Sequence, residues 1–386
     1  MIVLAFLMSP TRAFSENMAS YQQKFVSGVQ WMGTDPSRAA EIFQSLYNET
    51  GAPRVQLELA RSLYLAGQLN QAKEQFIDVL NKPIPITVRD KVEWYLNQIQ
   101  MQQSVKVTLG VFQDTNPGQI TAERSFNVFG QLLDYQPATA TGSQMALNLS
   151  AQAERELSKG SGYFAKASVS TLTYESKEYN KQLFDLALAK RWQDIDYKEL
   201  QFGNQVMMYG DKFLYNMPYI STSLVFNRDN QDYYGVSAQA GVLDYPDYDY
   251  LDGPQFQGRI FYNHNINNNL TAFFEIGADR TIAKESPYSS TGAYFSLGTQ
   301  IAHDPTSLQL NVLATISKRG FSGDDPFWGT QRQDVGKSFN VSLTKRNFYI
   351  LGFTPVLEFN YQTNHSNNNF FSYNKTFVGL FFKNVY

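Results

Sequence analysis

The chain has 386 residues, with 32 lysines and arginines against 35 aspartates and glutamates, so its formal net charge is -3. This balance excludes a basic nucleic-acid binder, which needs an excess of cations to neutralise phosphates. Charged residues make up only 17% of the chain, whereas aromatic residues reach 15%. No segment approaches the ~20 apolar residues that a membrane-spanning helix needs. The apolar content of 43% is too high for a disordered chain.

The sequence offers little material for catalysis. It contains no cysteine, which excludes disulfides, thiolate nucleophiles and cysteine-ligated zinc. Its three histidines, His264, His303 and His365, each lie beside Asn or Asp in a turn-like setting, where polar solvation explains them. Gly-rich phosphate loops and the common hydrolase motifs are absent. We therefore expect no enzyme, no catalytic residue, no cofactor and no metal site.

The pattern of residues 1–15 predicts the remnant of a signal peptide. Met1–Met8 is an uninterrupted apolar run, and a proline and the small residues Thr11 and Ala13 follow it, as at the end of an export signal. The basic segment that usually precedes such a run is missing. We expect an exported protein, and the alternative is a mildly apolar terminus without that role.

Residues 19–102 predict a small α-helical domain. Apolar residues recur at helical spacing before and after Gly67. The placement of Ala60, Gly67, Ala72 and Phe76 is similar to the tetratricopeptide (TPR) pattern, in which small residues let paired helices approach closely. The alternative is a helical domain without a peptide-binding groove.

Residues 104–386 predict an antiparallel β-barrel of about fourteen transmembrane strands. After Gln103 the apolar period changes from 3.6 to 2. At Tyr349–Gln362, for example, every second residue is apolar and the others include Glu358 and Asn360. The polar faces carry mainly Ser, Asn, Thr, Gly and Gln, which indicates a wet interior and an apolar exterior in contact with lipid. Short and long connections alternate, as in bacterial outer-membrane barrels. The predicted fold class is thus α+β, a TPR-like helical domain followed by the barrel.

Two of the long connections carry candidate sites. In the loop that begins at Gly320, the side chains of Phe321, Phe327 and Trp328 would be exposed unless they fold inward or meet a partner, so we expect a constriction or a substrate contact there. The acidic loop Asp244–Asp252 has carboxylates suited to calcium, but it lacks the regular spacing of an EF-hand. We favour an outer loop with interfacial tyrosines.

Short motifs in the predicted barrel, together with the domain order, resemble the Slam family, the surface lipoprotein assembly modulators. The matching residues are Asp114-Thr115-Asn116, Arg332-Gln333-Asp334, Gly352-Phe353-Thr354-Pro355, and Ser366-Asn367 before Phe371-Ser372-Tyr373. The last strand, with Phe382 and the terminal Tyr386, is similar to the aromatic ending that barrel-assembly machinery recognises. The helical domain is shorter than in many members and has fewer clear repeats.

The resemblance implies an outer-membrane translocator in a Gram-negative bacterium. Such proteins move specific clients, surface lipoproteins or secreted haem- or metal-binding proteins, from the periplasm to the cell surface. The helical domain would lie in the periplasm, and periplasmic chaperones and the barrel assembly machinery would be further partners, besides the outer-membrane bilayer. No covalent chemistry and no nucleic acid are implied.

A passive porin with a periplasmic helical docking domain is the alternative. A porin needs only a wet lumen, usually with a charged constriction. The strands supply candidates for that constriction: Arg155, Lys166, Lys190, Arg259, Glu275, Asp279 and Arg280.

Overall fold

The structure is a computed structural model that describes residues 11–80, 82, 84–128, 131–137, 142–158, 160–193, 196–228, 232–267, 269–346, 348, 350 and 353–384. The chain divides into two compact units, and the boundary follows Gln103. The first unit is helical and the second is a closed antiparallel barrel, which confirms the predicted fold class. Most of the predicted signal peptide, residues 1–10, lies outside the described residues, and residues 11–15 belong to the first helix.

The helical unit consists, among the described residues, of α1 Thr11–Trp31, α2 Pro36–Thr50, α3 Pro53–Leu65, α4 Leu69–Leu80 and α5 Ile86–Gln102. Helix α2 begins after Asp35, whose carboxylate accepts a hydrogen bond from the Arg38 amide at 3.1 Å, with Pro36 in the first turn. The helix ends at Thr50, and the next residue, Gly51, caps it with a φ of 60°. Within the described part of the chain, no helix is long and apolar enough to cross a membrane.

The four residues of the TPR-like pattern lie where α3 and α4 meet. Ala60, Ala72 and Phe76 are fully buried, and Gly67, with a φ of 76°, forms the turn between the helices. This left-handed conformation is one that glycine adopts without a steric penalty. The small alanines let the two helices pack closely, and assignment to a TPR repeat stays a prediction.

The barrel unit contains sixteen strands in the described residues, fourteen of which form the barrel. Strands β4 to β16 pair in sequence order, and β1 pairs with β16, so that the sheet closes. The barrel strands are β1 Gln103–Asp114, β4 Gln144–Glu156, β5 Tyr163–Tyr174, β6 Lys181–Gln193, β7 Tyr197–Tyr209, β8 Lys212–Arg228, β9 Asp232–Leu243, β10 Gly253–Asn267, β11 Leu270–Thr281, β12 Ser290–His303, β13 Leu308–Asp324, β14 Gln331–Lys345, β15 Phe353–Ser366 and β16 Tyr373–Asn384.

The two faces of the strands have the predicted orientation. Leu357, Phe359 and Tyr361 alternate along β15 and stay exposed at 52%, 38% and 42%, because they lie on the outside of the barrel. On the inside, polar side chains of strands that are not neighbours meet. Lys166 of β5, for example, lies 2.7 Å from Glu199 of β7. Because the barrel is closed, such contacts across a strand lie in its interior.

The connections define two ends of the barrel. We call the end with the longer connections, between β1 and β4, β5 and β6, β9 and β10, β11 and β12, β13 and β14, and β15 and β16, the long-loop end, and the two-residue turn between β7 and β8 also lies there. The opposite end is the short-turn end. The sequence did not predict the hairpin of β2 Ser125–Val128 and β3 Gln131–Asp134 within the first long connection.

One strand is longer than predicted. Pairing of β13 with β14 continues past Gly320 to Asp324, where it meets Gln331 across an irregular register, so the connection between them is shorter than expected. The extension is rich in serine, glycine and aspartate. It therefore carries no apolar alternation from which a strand is recognised.

Candidate functional site

Asp114 links the first strand of the barrel to two others. Its carboxylate is fully buried at the long-loop end of β1. Oδ2 accepts a hydrogen bond from the Tyr174 hydroxyl of β5 at 2.9 Å and lies 2.7 Å from Nζ of Lys375 on β16. Oδ1 accepts from the backbone amide of Asn116 at 3.0 Å. Burial without water makes such a carboxylate costly unless it is paired and hydrogen-bonded, and here it is both.

Asn116 orders the chain just after β1. Its Oδ1 accepts from the Ile120 amide at 2.8 Å, and its Nδ2 donates to the carbonyls of Ile120 and Asn374. At the short-turn end, the side chain of Asn384 accepts from the Val107 amide and donates to the Val105 carbonyl, both at 2.6 Å. Side chains thus continue the pairing of β1 with β16 beyond its backbone register at both ends.

Aromatic rings fill the interior beside these two strands. Phe112 of β1 packs on Phe381 and Phe377 of β16 and on Tyr174 of β5, with centroid distances of 5.5 to 6.1 Å. A side chain at Gly110 would collide with the Phe381 ring. The interior is therefore packed with side chains along one wall.

Arg332 and Asp334 form a pair on β14 at the long-loop end. The guanidinium donates to both carboxylate oxygens, at 3.0 and 2.6 Å. Its planar group also lies 3.7 Å from the ring centroid of Phe371 and 4.7 Å from that of Phe321. The guanidinium thus binds a carboxylate with two hydrogen bonds and also contacts two aromatic rings. A lysine side chain does not reproduce this geometry. The R-x-D spacing is explained by the strand, because residues two apart share a face.

Ser366 and Asn367 tie the β15–β16 connection to β14. The Asn367 side chain accepts from the Gln333 amide and donates to the Gln331 carbonyl, each at 2.8 Å. Ser366 is almost fully buried, and its hydroxyl accepts from the Asn368 amide at 3.2 Å. These two motif residues therefore hold a loop in place, close to the Arg332 pair.

Pro355 and Phe382 lie directly opposite each other on the outer face of β15 and β16 near the short-turn end. Pro355 does not share the interior with the other motif residues, because its strand position points outward. Gly352 and Tyr386, predicted as part of the same motif and of the C-terminal ending, lie outside the described residues.

An aromatic pocket occupies the long-loop end. Its lining comes from four separate connections, among them the β2–β3 hairpin, and includes Phe126, Tyr135, Tyr288, Phe327, Trp328 and Phe370. The Trp328 ring packs on Phe126 and Phe370 with centroid distances of 5.4 and 5.2 Å. Phe327 stays 54% exposed beside it. The cavity has a volume of about 490 Å³. The sequence pattern predicts Phe327 and Trp328 but gives no signal for Phe126, Tyr135 and Phe370, because these three residues come from other connections.

Phe321, the third aromatic residue predicted in this loop, belongs to strand β13. Its ring contacts the Arg332 guanidinium. It is therefore placed beside the motif pair and does not line the aromatic pocket.

The lumen carries charges of both signs in pairs. Arg191 donates to Glu154 at 2.9 Å and to Glu199 at 2.8 Å, and Glu199 also accepts from Lys166 and Tyr197, each at 2.7 Å. Further round the barrel the pairs Arg259–Glu275 and Arg319–Asp279 lie at 3.2 and 2.8 Å. A polar cavity of about 580 Å³ adjoins the first cluster.

Three of the predicted constriction residues are not in the lumen. Arg155 shares the outer face of β4 with Leu147 and Leu149, and Lys190 and Arg280 have the corresponding outward positions on β6 and β11. The sequence prediction was wrong for these three residues because it considered only their charge. It did not consider that successive residues of a strand point to opposite faces of the barrel. Lys166, Arg259, Glu275 and Asp279 do face inward.

The acidic loop is organised by a cation that the protein itself provides. Asp252 accepts from Lys284 at 2.7 Å and from the Tyr245 amide at 2.7 Å, and the Lys284 hydrogen bond lowers the pKa of Asp252. Among the described residues, no group of three or more His, Asp or Glu side chains is arranged to hold a metal ion. An interaction with Lys284 thus occupies a carboxylate that the calcium hypothesis required.

Several solved outer-membrane structures are similar in backbone. They include OmpT of Vibrio cholerae (TM-score 0.41, 5% identity, 73% of this chain and 97% of that one), and the channel DcaP of Acinetobacter baumannii (0.43, 7%, 73% and 96%). An outer-membrane channel of Pseudomonas putida F1 has a TM-score of 0.39 and 11% identity, over 73% of this chain and 95% of its own. No curated protein sequence matches this chain significantly. The identities are too low for any of these proteins to indicate what the chain carries.

A family match covers the second half of the barrel. Residues 254–386, from the start of β10 to the C-terminus, match the family described as surface lipoprotein assembly modifier. The match includes Arg332, Asp334, Pro355, Ser366 and Asn367, whereas Asp114 and Asn116 precede it. It also supports the expectation that the chain is not an enzyme. Over residues 254–386 the chain is therefore similar to the surface lipoprotein assembly modifier family, and the closed antiparallel barrel has the architecture of outer-membrane barrels.

Proposed function

We propose that this protein translocates specific client proteins, surface lipoproteins or secreted haem- or metal-binding proteins, from the periplasm to the cell surface. The family match over residues 254–386 carries this proposal. In this arrangement the long-loop end faces the outside of the cell, as the longer loops of bacterial barrels do. The helical domain then lies in the periplasm.

The helical domain is the proposed first contact of the client or of its chaperone. It exposes large apolar side chains that its own core does not use, among them Leu65 and Trp94 at 47% and 53% exposure. Exposed apolar surface of this kind is suited to binding an unfolded or partly folded chain. Residues 1–15 fit this placement as the remnant of an export signal.

The barrel supplies the passage and the exit. Its polar cavity and its paired charges offer hydrogen-bonding partners, and both positive and negative charges are present. This mixture suits a polypeptide better than it suits cations alone or anions alone. No nucleotide is needed, because folding of the client outside the cell provides a free-energy decrease. The aromatic pocket lies where an emerging segment would leave the barrel.

A passive porin is the rival function, since a charged, wet lumen also suits small solutes. One experiment separates the two. A candidate client with an epitope tag is co-expressed with the full chain, with a chain lacking residues 19–102, or with empty vector, and intact cells are labelled with antibody. We expect surface label only with the full chain. If cells with the full chain show no more surface label than cells with empty vector, but take up more of a small hydrophilic antibiotic, the protein is a porin.

A further inference from the structure

The aromatic pocket is a cavity of ligand size with a defined chemistry. Its volume of about 490 Å³ lies within the range of typical ligand-binding pockets. Phe126, Trp328 and Phe370 form its packed wall, and Phe327 stands exposed at its rim. Aromatic residues brought together from separate loops, with one left uncovered, form the type of surface that anchors an apolar side chain of a partner.

The charge around the pocket is negative. Asp134 and Asp325 are the ionisable acids among the residues that line it, and the described lining contains no lysine or arginine. Asp325 accepts hydrogen bonds from the amides of Phe327 and Trp328 at 2.9 Å each, which fixes its carboxylate in the turn. The surrounding connections, residues 115–143, 175–180, 210–211, 244–252, 282–289, 325–330 and 367–372, contain eleven acids and three bases. The chain as a whole is nearly balanced, so the acidity is concentrated at this end.

We propose that the aromatic pocket binds a basic peptide segment that carries an apolar anchor residue, and that this segment belongs to the emerging client. The choice of the client rests on the proposed function. The anchor fills the pocket, while neighbouring lysines or arginines face Asp134 and Asp325 and the aromatic rings attract their cations. A phosphorylated lipid or a fatty acid fits less well, because its negative head would meet the same two carboxylates.

The test uses the purified full chain in detergent micelles and three short fluorescein-labelled peptides. One has leucines flanked by lysines, the second has glutamates in place of the lysines, and the third has serines in place of the leucines. Fluorescence anisotropy gives the dissociation constants. We expect the lysine–leucine peptide to bind at least about tenfold more tightly than either of the others, with an advantage over the glutamate peptide that falls as salt is added.

Two substitutions in the pocket give the decisive comparison. Phe327→Ala removes an exposed ring with little effect on packing, and Trp328→Ala removes part of the wall. Each should weaken binding of the lysine–leucine peptide about tenfold, and Asp134→Asn should weaken it and reduce its salt dependence. Trp192→Ala is the matched control, because Trp192 is an exposed tryptophan on the outer face of β6. Equal binding of the lysine and glutamate peptides, displacement by decanoate, or unchanged binding by both pocket variants would overturn the proposal.

The export assay distinguishes this inference from the proposed function. One outcome is that wild-type cells and cells with either pocket variant display the same amount of client, while the variants bind each peptide as tightly as the wild type does. In that case the pocket proposal is wrong and translocation stands. If wild-type cells display no client, translocation is wrong whatever the peptides show.

Discussion

The ring of Tyr219 on β8 lies directly over Gly203 on β7, its partner in the strand register, so that a Cβ at position 203 would stand 2.5 Å from the ring. The Tyr219 hydroxyl reaches past the glycine and donates to Asp185 on β6 at 2.8 Å. The absence of a side chain on β7 thus allows a contact between two strands that are not neighbours.

We predict that Gly203→Ala destabilises the barrel. The added methyl group pushes the Tyr219 ring away and breaks its hydrogen bond to Asp185, at a cost of about 1–3 kcal/mol for overpacking. The temperature at which the barrel loses its compact electrophoretic mobility in SDS should fall by several degrees. Gly320→Ala is the control, because no atom lies within 4 Å of a Cβ at that position. Equal effects of the two substitutions would contradict the packing argument.

Asp114→Asn should weaken the closure of the barrel. The substitution leaves Lys375, which is only 12% exposed, without its charged partner, and an uncompensated buried charge costs about 3–5 kcal/mol. We expect a lower unfolding temperature, measured by the same gel-mobility assay. The double variant Asp114→Asn, Lys375→Gln should recover part of the loss, because it removes the unpaired cation. A single variant as stable as the wild type would show that the pair does not stabilise the closure.

Glu199→Gln should destabilise the lumen more than Glu358→Gln does. The Glu199 carboxylate is 8% exposed and accepts from Arg191, Lys166 and Tyr197, whereas Glu358 pairs with Lys383, which is 44% exposed. Exposed pairs contribute little because water and salt screen them. Circular dichroism recorded during heating measures the stability of each variant. The free energy of unfolding should fall clearly for Glu199→Gln and by no more than about 1 kcal/mol for Glu358→Gln. The reverse order would contradict the argument that the less exposed carboxylate contributes more to stability.

Arg332→Lys should loosen the long-loop end without unfolding the barrel. Lysine keeps the charge but loses the bidentate contact to Asp334 and the stacking on Phe371. A loss of about 1.4 kcal/mol corresponds to about tenfold more of the opened loop. Chymotrypsin should therefore cleave at the aromatic residues of this end about tenfold faster. The control Arg280→Lys changes an exposed arginine on the outer face and should leave the cleavage rate unchanged.

The contact between the acidic loop and Lys284 should depend on pH. The Lys284 hydrogen bond lowers the pKa of Asp252 from its ordinary value of 3.8, so the contact is favoured above that value and is lost as the pH falls through the lowered pKa. Because the chain has no cysteine, spin labels on Asp247→Cys and Glu285→Cys report this distance alone. We expect a constant distance from pH 8 to pH 4 and a broader distribution only at pH values below the ordinary 3.8. A change near pH 6 would assign the loop contact to another group.

The sequence determined which residues lie inside and outside the barrel. Alternation along each strand places Leu357 and Glu358 on opposite faces whatever their neighbours are, because successive side chains of a strand point in opposite directions. Helix ends were equally local, since Asp35 and Pro36 act within one turn. Charges were predictable only where their strand parity was applied, and Arg155 and Lys190 show the error that follows when it is not.

Only the tertiary structure decided which residues meet across the barrel. Asp114 lies on the first strand of the barrel and Lys375 on the last. Their contact depends on the pairing of β1 with β16, which no local pattern encodes. The same holds for Phe126, Trp328 and Phe370, which three separate connections bring into one pocket. Local periodicity fixes the direction of each side chain, whereas the register and closure of the sheet are settled by the packing of all strands together.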